Sequence, residues 1–468
     1  MVFSSLAFLY GFLPAVLIAV FVCPPKWRNL TLLLCSLFFY GWGEPVLILC
    51  MILSFSLAYL FGFPIVKNRI ANPRRAKGWM ILSVSITLSF LFFFKYYNFA
   101  AANLSRLPFL HIPTVSALRL PIGISFYTFQ ILSYTVDLWR GDAVLQRNYI
   151  SFGTYVSLFP QLIAGPIVRY REIDRELQNR RVTVPDFAEG VSRFCAGLSK
   201  KVLLGDPLAE AHLYYRNLLL QTPNTLSAWM MVICYTLHLY FDFSGYSDMA
   251  IGLGRMFGFH FPENFRYPYL AGSITEFWRR WHITLSSWFR EYVYIPLGGN
   301  RHGKGKELRN LAIVWVLTGL WHGANWNFLI WGVYFLVFLI LEHFVYGKYL
   351  PRVPSPLRHL YTMGIVCVSF LIFSETDPGM IGKALRYLIG AGCPLGSATA
   401  VYQTRILVPF LMLAILGATP FPKRLFERLA AKNSAAAWIR PISCTLSLLL
   451  CTAYLTDASF SPFEYLNF

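Results

Sequence analysis

Four stretches of the chain carry no Asp, Glu, Lys or Arg: residues 1–25, 45–66, 78–94 and 310–341. Crossing about 30 Å of hydrocarbon takes roughly 20 residues of helix, and these runs have that size. Backbone polar groups cannot be left open in lipid, so such segments must satisfy them internally as helices. Only 13% of the 468 residues are charged and 56% are hydrophobic, against about 25% charged in an ordinary soluble domain. A soluble globule is excluded, and the expected class is an all-α polytopic membrane protein.

Further apolar segments lie at 30–43, 120–136, 226–241, 360–373, 406–419 and 442–456. Each is shorter than about 18 residues, so tilted, re-entrant or interfacial helices are expected. Splitting the run 310–341 into two elements gives roughly 10 to 12 spanning or half-spanning segments. The first stretch, 2–23, precedes the first basic residue, Lys26, contains Pro14 and offers no clear small-residue cleavage pattern, so it reads as a retained helix.

Forty-one Lys and Arg against 22 Asp and Glu give a net charge of +19. On a soluble chain that excess would suggest nucleic acid; here the basic residues gather in short loops between apolar runs, where the positive-inside rule explains them, so no nucleic-acid partner is expected. Lys67, Arg69, Arg74, Arg75 and Lys77 form a basic stretch without an acidic residue, placed in the cytoplasm. Counting back three spans puts the N-terminus outside. Arg140 and Arg147 precede the apolar stretch 149–168, and Arg169, Arg171, Arg175, Arg180 and Arg181 follow it, so both flanks read as cytoplasmic and the stretch as re-entrant. Phe159-Pro160-Gln161 and Ala164-Gly165-Pro166 should break it twice, which is tolerated at membrane depth only under a cover of protein. A second irregular zone is expected over 246–309, with a polar turn at Gly298, Gly299, Asn300, Arg301 and Gly303 to Lys306.

Nine cysteines, an odd number with no CxxC pair, argue against a disulfide framework and a metal cluster. No internal repeat is visible, and the paired interrupted helices of many secondary transporters do not stand out.

Polar groups at membrane depth are costly and usually functional, which singles out His322. It lies 12 residues into the run 310–341, in Gly319-Leu320-Trp321-His322-Gly323-Ala324-Asn325-Trp326-Asn327. At about 1.5 Å per helical residue this is about 18 Å along, roughly half way through the hydrocarbon. The plain reading is a histidine hydrogen-bonded between helices. The flanking glycines, the indoles and the neutral amides favour the other one: an imidazole with an ordinary pKa of about 6.5 that takes a proton from a hydroxyl.

His282 is the second candidate, in Trp278-Arg279-Arg280-Trp281-His282-Ile283-Thr284-Leu285. On a continuous helix Trp278, His282 and Leu285 share one face. The competing reading is an interfacial helix with Trp and Arg at headgroup level. The third constellation is Tyr240-Phe241-Asp242-Phe243-Ser244-Gly245-Tyr246-Ser247-Asp248, whose two carboxylates could hold a basic partner such as Arg279 or Arg280, or shape a substrate entrance. Its spacing fits no metal motif, and no metal is expected. The remaining histidines, His111, His212, His238, His260, His302, His343 and His359, read as structural or solvated.

In these blocks the sequence resembles the membrane-bound O-acyltransferase family, in its bacterial alginate O-acetyltransferase-like branch. The resemblance rests on Met1-Val2-Phe3-Ser4-Ser5, on Leu120-Pro121-Ile122-Gly123-Ile124-Ser125-Phe126-Tyr127-Thr128-Phe129, on Leu162-Ile163-Ala164-Gly165-Pro166-Ile167, on 240–248, on 277–286 and on Trp321-His322-Gly323. It covers nearly the whole chain as one integral membrane domain, 1–468, densest over 120–332.

The resemblance implies a ring of about 10 to 12 tilted helices with re-entrant elements around a thin central tunnel. It implies transfer of an acyl group, acetyl first, from a cytoplasmic thioester to a hydroxyl of an extracytoplasmic polysaccharide, at the bacterial cytoplasmic (inner) membrane. The donor, acetyl-CoA or another acyl thioester, is a substrate, and no tightly bound cofactor is implied. His322 matches the family's catalytic histidine and His282 a characteristic one, which would orient the donor or stabilise the oxyanion. Trp321, Asn325, Trp278, Tyr240, Asp242, Ser244 and Tyr246 are expected to line the tunnel or bind substrate. An extracytoplasmic acyltransferase or small membrane protein is the expected partner. The C-terminal Ser461 to Phe468 departs from the family's uncharged aromatic ending through Glu464, which puts a partner contact there in doubt. D-alanyl transfer to teichoic acid is the sister activity; a transporter or flippase, or a membrane scaffold, are the readings outside enzymes.

Overall fold

The computed structural model describes residues 2–107, 109–110, 112–115, 118–430 and 438–457. The expectations about Met1, His111 and the C-terminal 461–468 lie outside them. Among the described residues every regular element is a helix. Seven helices are long and apolar enough to cross a membrane: Ile48–Asn68, Pro73–Leu104, Thr225–Met256, Trp326–Tyr346, Ser355–Ser374, Ala398–Gly417 and Ile439–Asp457. The shorter Ala7–Val22 is also apolar. Arg28–Gly43, Ile124–Arg140 and Lys304–His322 account for other apolar runs, and with them the set comes to the expected roughly 10 to 12 segments.

Burial sorts these helices. Of its most apolar window, 83% is buried in Thr225–Met256, against 6% in Ile439–Asp457. The outer helices present side chains such as Met412 and Leu449 outward, a surface suited to lipid rather than water.

By contacts the chain forms two compact units. The first holds the described residues up to Phe194 and Met249–Pro262; the second holds Cys195–Asp248 and the described residues from Glu263 onward.

In the first unit, α1 (Ala7–Val22), α2 (Arg28–Gly43), α3 (Ile48–Asn68) and α5 (Ile124–Arg140) pack on the stretch 149–168, and α4 (Pro73–Leu104) packs on α3 and α5. That stretch is broken where its prolines and glycine predict. α6 (Tyr149–Ser157) stops at Leu158, α7 (Phe159–Leu162) begins with Pro160 in its first turn, and 163–168 runs irregularly. All of it beyond Ile150 is buried. Phe159 packs with Phe3, Phe8, Phe12 and Phe39, ring centroids 5.3 to 6.4 Å away. Gly123, at φ +71°, lets α5 start directly over the break: a Cβ there would lie 2.4 Å from the Leu162 carbonyl oxygen. α8 (Tyr170–Asn179) and α9 (Val184–Ser199) complete the run.

In the second unit, a π-helical turn, Lys200–Gly205, leads into α10 (Asp206–Gln221), and α11 (Thr225–Met256) follows. The expected irregular zone therefore begins later than 246. α11 continues to Met256, and only then come α12 (Ile274–Arg280), α13 (Ile283–Phe289) and the glycine turn with Gly298, Gly299 and Gly303 at positive φ. α14 (Lys304–His322) and α15 (Trp326–Leu341) form a tight helical hairpin. A Cβ on Gly332 would sit 2.5 Å from the Trp315 carbonyl oxygen, and one on Gly319 would sit 2.5 Å from that of Phe328. α16 (Ser355–Ser374) packs against α15.

Candidate active site

The tip of the α14–α15 hairpin carries His322. It is the last residue of α14, Gly323 is extended, and α15 starts at Trp326. Glycine at 323 lets the turn fold tightly against α15, since a Cβ there would meet the Phe328 ring at 2.2 Å. The imidazole is 2% exposed. It packs edge-to-face against Trp321, Trp331 and Phe373, with centroids 5.0, 4.8 and 5.2 Å away.

His282 does not sit on a continuous helix, which corrects the expected common face of Trp278, His282 and Leu285. α12 ends at Arg280, Trp281 is extended at ψ +129°, and His282 adopts φ +43°, ψ +53° before α13 begins. Left-handed backbone at a non-glycine residue costs on the order of 1 to 3 kcal/mol and persists only where the surroundings hold it. Asn264 is that hold. Its Oδ1 accepts from the Thr284 backbone N–H (3.3 Å) and the Thr284 hydroxyl (2.9 Å), and its Nδ2 donates to Ser247 Oγ (3.1 Å). An N–H can only donate, so the atom facing it is the amide oxygen, and the His282 Nδ1 at 3.1 Å from the same oxygen carries the proton. In the neutral ring the lone pair is then on Nε2, which is buried without a hydrogen-bond partner among the described residues. Burial pushes this imidazole down to about 3, so it stays neutral.

Trp321 joins the two histidines, its ring 5.6 Å from His282 and 5.0 Å from His322. Trp278 lies behind Trp331, centroids 5.7 Å apart. The indole N–H groups of both Trp278 and Trp331, and Oδ1 of Asn327, are buried without a hydrogen-bond partner among the described residues. Leaving each such atom so costs about 1 to 3 kcal/mol, which a polar substrate or water would relieve. The constellation thus offers two imidazoles, two free donors and two free acceptors inside an aromatic enclosure.

The block 240–248 divides between two faces of α11. Phe243 stacks edge-to-face on His282 (4.7 Å), Ser247 holds Asn264, and Tyr240 joins the same aromatic layer through Tyr269 (5.2 Å) and Phe265 (6.2 Å). The other face carries the carboxylates away from the histidines. Asp242 is 3.0 Å from Lys201 Nζ, and Asp248 is 2.6 Å from Lys200 Nζ. The expected partners Arg279 or Arg280 are replaced: Arg280 pairs with Glu276 at 2.6 Å. Ser244 and Tyr246 are buried on the same helix. Asn325 is half-buried, and its Oδ1 accepts the Trp326 N–H (2.6 Å) as the cap of α15.

Lys201 is also paired with Asp206, all three groups being buried. Burial opposes its charge, but Asp242 and Asp206 outweigh that and hold the ammonium above its ordinary pKa. Asp206 is also raised, by burial against the pull of Lys201. The Lys201 ammonium is thus held charged between two buried carboxylates.

Four contributors were not singled out from sequence. Asn264 carried no signal beyond an amide in an irregular zone, and Phe373 and Trp331 are aromatics among many. Glu342 had one: it is the carboxylate that closes the uncharged run 310–341. It accepts the Ile274 and Thr275 N–H groups at 2.8 and 2.9 Å, fixing the start of α12 and hence the position of Trp278.

Comparison with known proteins agrees with this reading. Residues 124–374 match the profile of MBOAT, the membrane-bound O-acyltransferase family. The chain is 39% identical to the probable alginate O-acetylase AlgI of Pseudomonas putida over 100% of both chains. It is 32% identical to the peptidoglycan O-acetyltransferase of Helicobacter pylori over 100% of this chain and 98% of that one. A teichoic acid D-alanyltransferase of Bacillus subtilis is 29% identical over 54% of this chain and 68% of its own. The matched region contains both histidines, both indoles and the whole hairpin, and the chain belongs to the membrane-bound O-acyltransferase family as a multi-pass membrane O-acyltransferase.

Proposed function

We propose that this enzyme moves an acetyl group from a cytoplasmic thioester, acetyl-CoA in the simplest case, to hydroxyls of a cell-envelope polysaccharide, directly or through an extracytoplasmic acyltransferase or small membrane partner. It works in the bacterial cytoplasmic membrane. The observation that carries the reading is the pair of buried imidazoles bridged by Trp321. Acetyl rather than D-alanyl is favoured because the acetylase relatives align over the whole chain, while the D-alanyltransferase aligns over about half.

His322 acts as the base. It takes the acceptor hydroxyl proton as the oxygen attacks the thioester carbonyl, the C–O bond forms, the C–S bond breaks, and the proton passes from the imidazolium to the departing thiolate. Positive charge developing on the ring falls at the carbonyl end of α14, where a helix favours it. His282 contributes as an acceptor. Its Nε2 lone pair suits an N–H or O–H of a substrate, and a protonated Nε2 for an oxyanion is disfavoured by the proton on Nδ1 and by burial. Oxyanion donors are better sought in the indole N–H groups of Trp331 and Trp278. The aromatic enclosure excludes the water that would otherwise hydrolyse the thioester.

The test is transfer of radiolabelled acetyl from acetyl-CoA in membranes that contain the neighbouring envelope proteins, with wild type and His322→Ala. Label in a polymer or partner protein with wild type alone is expected. Equal labelling by the variant, with both proteins folded, would remove His322 from the chemistry, and labelling only from a D-alanyl carrier would change the donor.

A further inference from the structure

In the first unit two guanidinium groups are held as neighbours, with no carboxylate paired to either among the described residues. Arg28 opens α2, and Arg180 follows α8 and lies over the next residue, Asn29. Asn29 ties the two segments together: its Nδ2 donates to the Leu177 carbonyl (2.8 Å) and to Ser151 Oγ (3.0 Å), while its Oδ1 accepts from Arg180 Nη1. Arg180 also stacks on Phe259, with Cζ 4.8 Å from the ring centroid. Glu176, the carboxylate whose charge acts on Arg180, is engaged with His260, through the His260 backbone N–H at 3.0 Å and Nδ1 at 2.7 Å.

The Arg28 side chain makes no hydrogen bond or ion pair among the described residues, and its Nε is buried; Nη2 of Arg180 is buried and also lacks a partner among them. Burial and the Arg28 charge together lower Arg180 to about 10, against the pull of Glu176. Like charges brought together, each with a buried donor left open, are unfavourable twice over. One anion between them would relieve both costs. The first turn of α2 points the same way, since no side chain caps its N-terminus.

The chemistry and the setting narrow the anion. Guanidinium pairs match the geometry of phosphate oxygens. The sequence puts the turn before α2 and the basic stretch after residue 168 on the cytoplasmic side, and the Asn29 contacts bring those two segments together. Lys26 lies 5.8 Å over the ring of exposed Trp27, an arrangement suited to the headgroup layer. We propose that Arg28 and Arg180 form a phosphate-binding site on the cytoplasmic face, for the phosphate of an anionic phospholipid headgroup or of a coenzyme A thioester.

Two probes separate those sources, using full-length protein in nanodiscs. Coenzyme A binding is measured in phosphatidylcholine discs, and retention of phosphatidylglycerol is measured by native mass spectrometry from mixed discs. Arg28→Gln is the primary variant, because it removes no hydrogen bond of the fold; Arg180→Gln is the second, and Arg175→Gln the exposed control. Loss of a charge-assisted phosphate contact should weaken one probe about ten- to a hundredfold in both site variants and not in the control. Loss confined to coenzyme A assigns the site to the donor, an outcome that rests on the thioester reading above; loss confined to phosphatidylglycerol assigns it to lipid and does not. Unchanged binding of both probes in Arg28→Gln, or equal loss in Arg175→Gln, overturns the site. Because binding is read with His322 intact, failure here is distinct from failure of the catalytic assignment.

Discussion

His282 Nδ1 donates to Asn264 Oδ1 across 3.1 Å, and the same oxygen takes the Thr284 backbone N–H. The amide therefore sets both the tautomer and the tilt of the imidazole. Asn264→Leu keeps the bulk and removes the acceptor, so the ring is free to carry its proton on either nitrogen. Acyl transfer should fall on the order of 10- to 100-fold, the usual size of the effect when the group orienting an imidazole is lost. Steady-state kinetics check this, and turnover within twofold of wild type would separate Asn264 from the reaction.

Burial also gives His282 a signature in stability. Its pKa is about 3 in the fold, below the ordinary 6.5, so the unfolded chain binds the extra proton first as pH falls. The contribution is complete above pH 6.5 and is lost progressively between 6.5 and 3. His282→Gln does not titrate and can still donate to Asn264. Thermal midpoints in detergent should therefore fall more steeply for wild type than for His282→Gln between pH 6.5 and 4.5. Parallel curves would mean that His282 is reached by water.

The long spans were legible because hydrocarbon demands continuous apolar sequence, and nothing else in α3 or α15 competes with that signal. The double break in 149–168 was legible because Pro160 and Gly165 act locally on the backbone. The extent of α11 was not. Gly252 and Gly254 look like turn residues, yet Gly252 serves close packing, since a Cβ there would lie 2.6 Å from the Gly190 carbonyl oxygen. Likewise Trp281-His282-Ile283 reads as uninterrupted helix, and the kink depends on Asn264, 18 residues away. His322 and the aromatic character of its surroundings could be found from sequence, because its chemistry stands out against an uncharged run. The partners of Asp242 and Asp248 could not be, because the pairing with Lys201 and Lys200 is set by how α11 packs on the π-helical turn.

That pairing predicts unequal consequences within one buried cluster. Lys201→Met leaves Asp206 and Asp242 buried without their cation, a change that costs about 3 to 5 kcal/mol. Asp242→Asn leaves Lys201 with Asp206 and a neutral hydrogen-bonding group in place, and should cost clearly less. Thermal unfolding of the purified variants distinguishes them. Equal destabilisation by both would show that the cluster is reached by solvent.

The hairpin that carries His322 depends on two glycines for its spacing. At Gly332 a Cβ would lie 2.5 Å from the Trp315 carbonyl oxygen, a backbone atom that cannot swing aside. Gly332→Ala must therefore push α14 and α15 apart, at a cost of about 1 to 3 kcal/mol for overpacking. Trp331, the residue before it, is 4.8 Å from His322, so a separation of the helices also moves the wall of the candidate site. Gly364→Ala on α16 is the matched control, because a Cβ there meets nothing within 4 Å. Gly332→Ala should lower both the unfolding midpoint and acyl transfer, with a larger proportional loss in turnover than in the amount of folded protein. If both variants behave as wild type, the hairpin has more room than the backbone contact at Trp315 allows, and the position of His322 is not set by it.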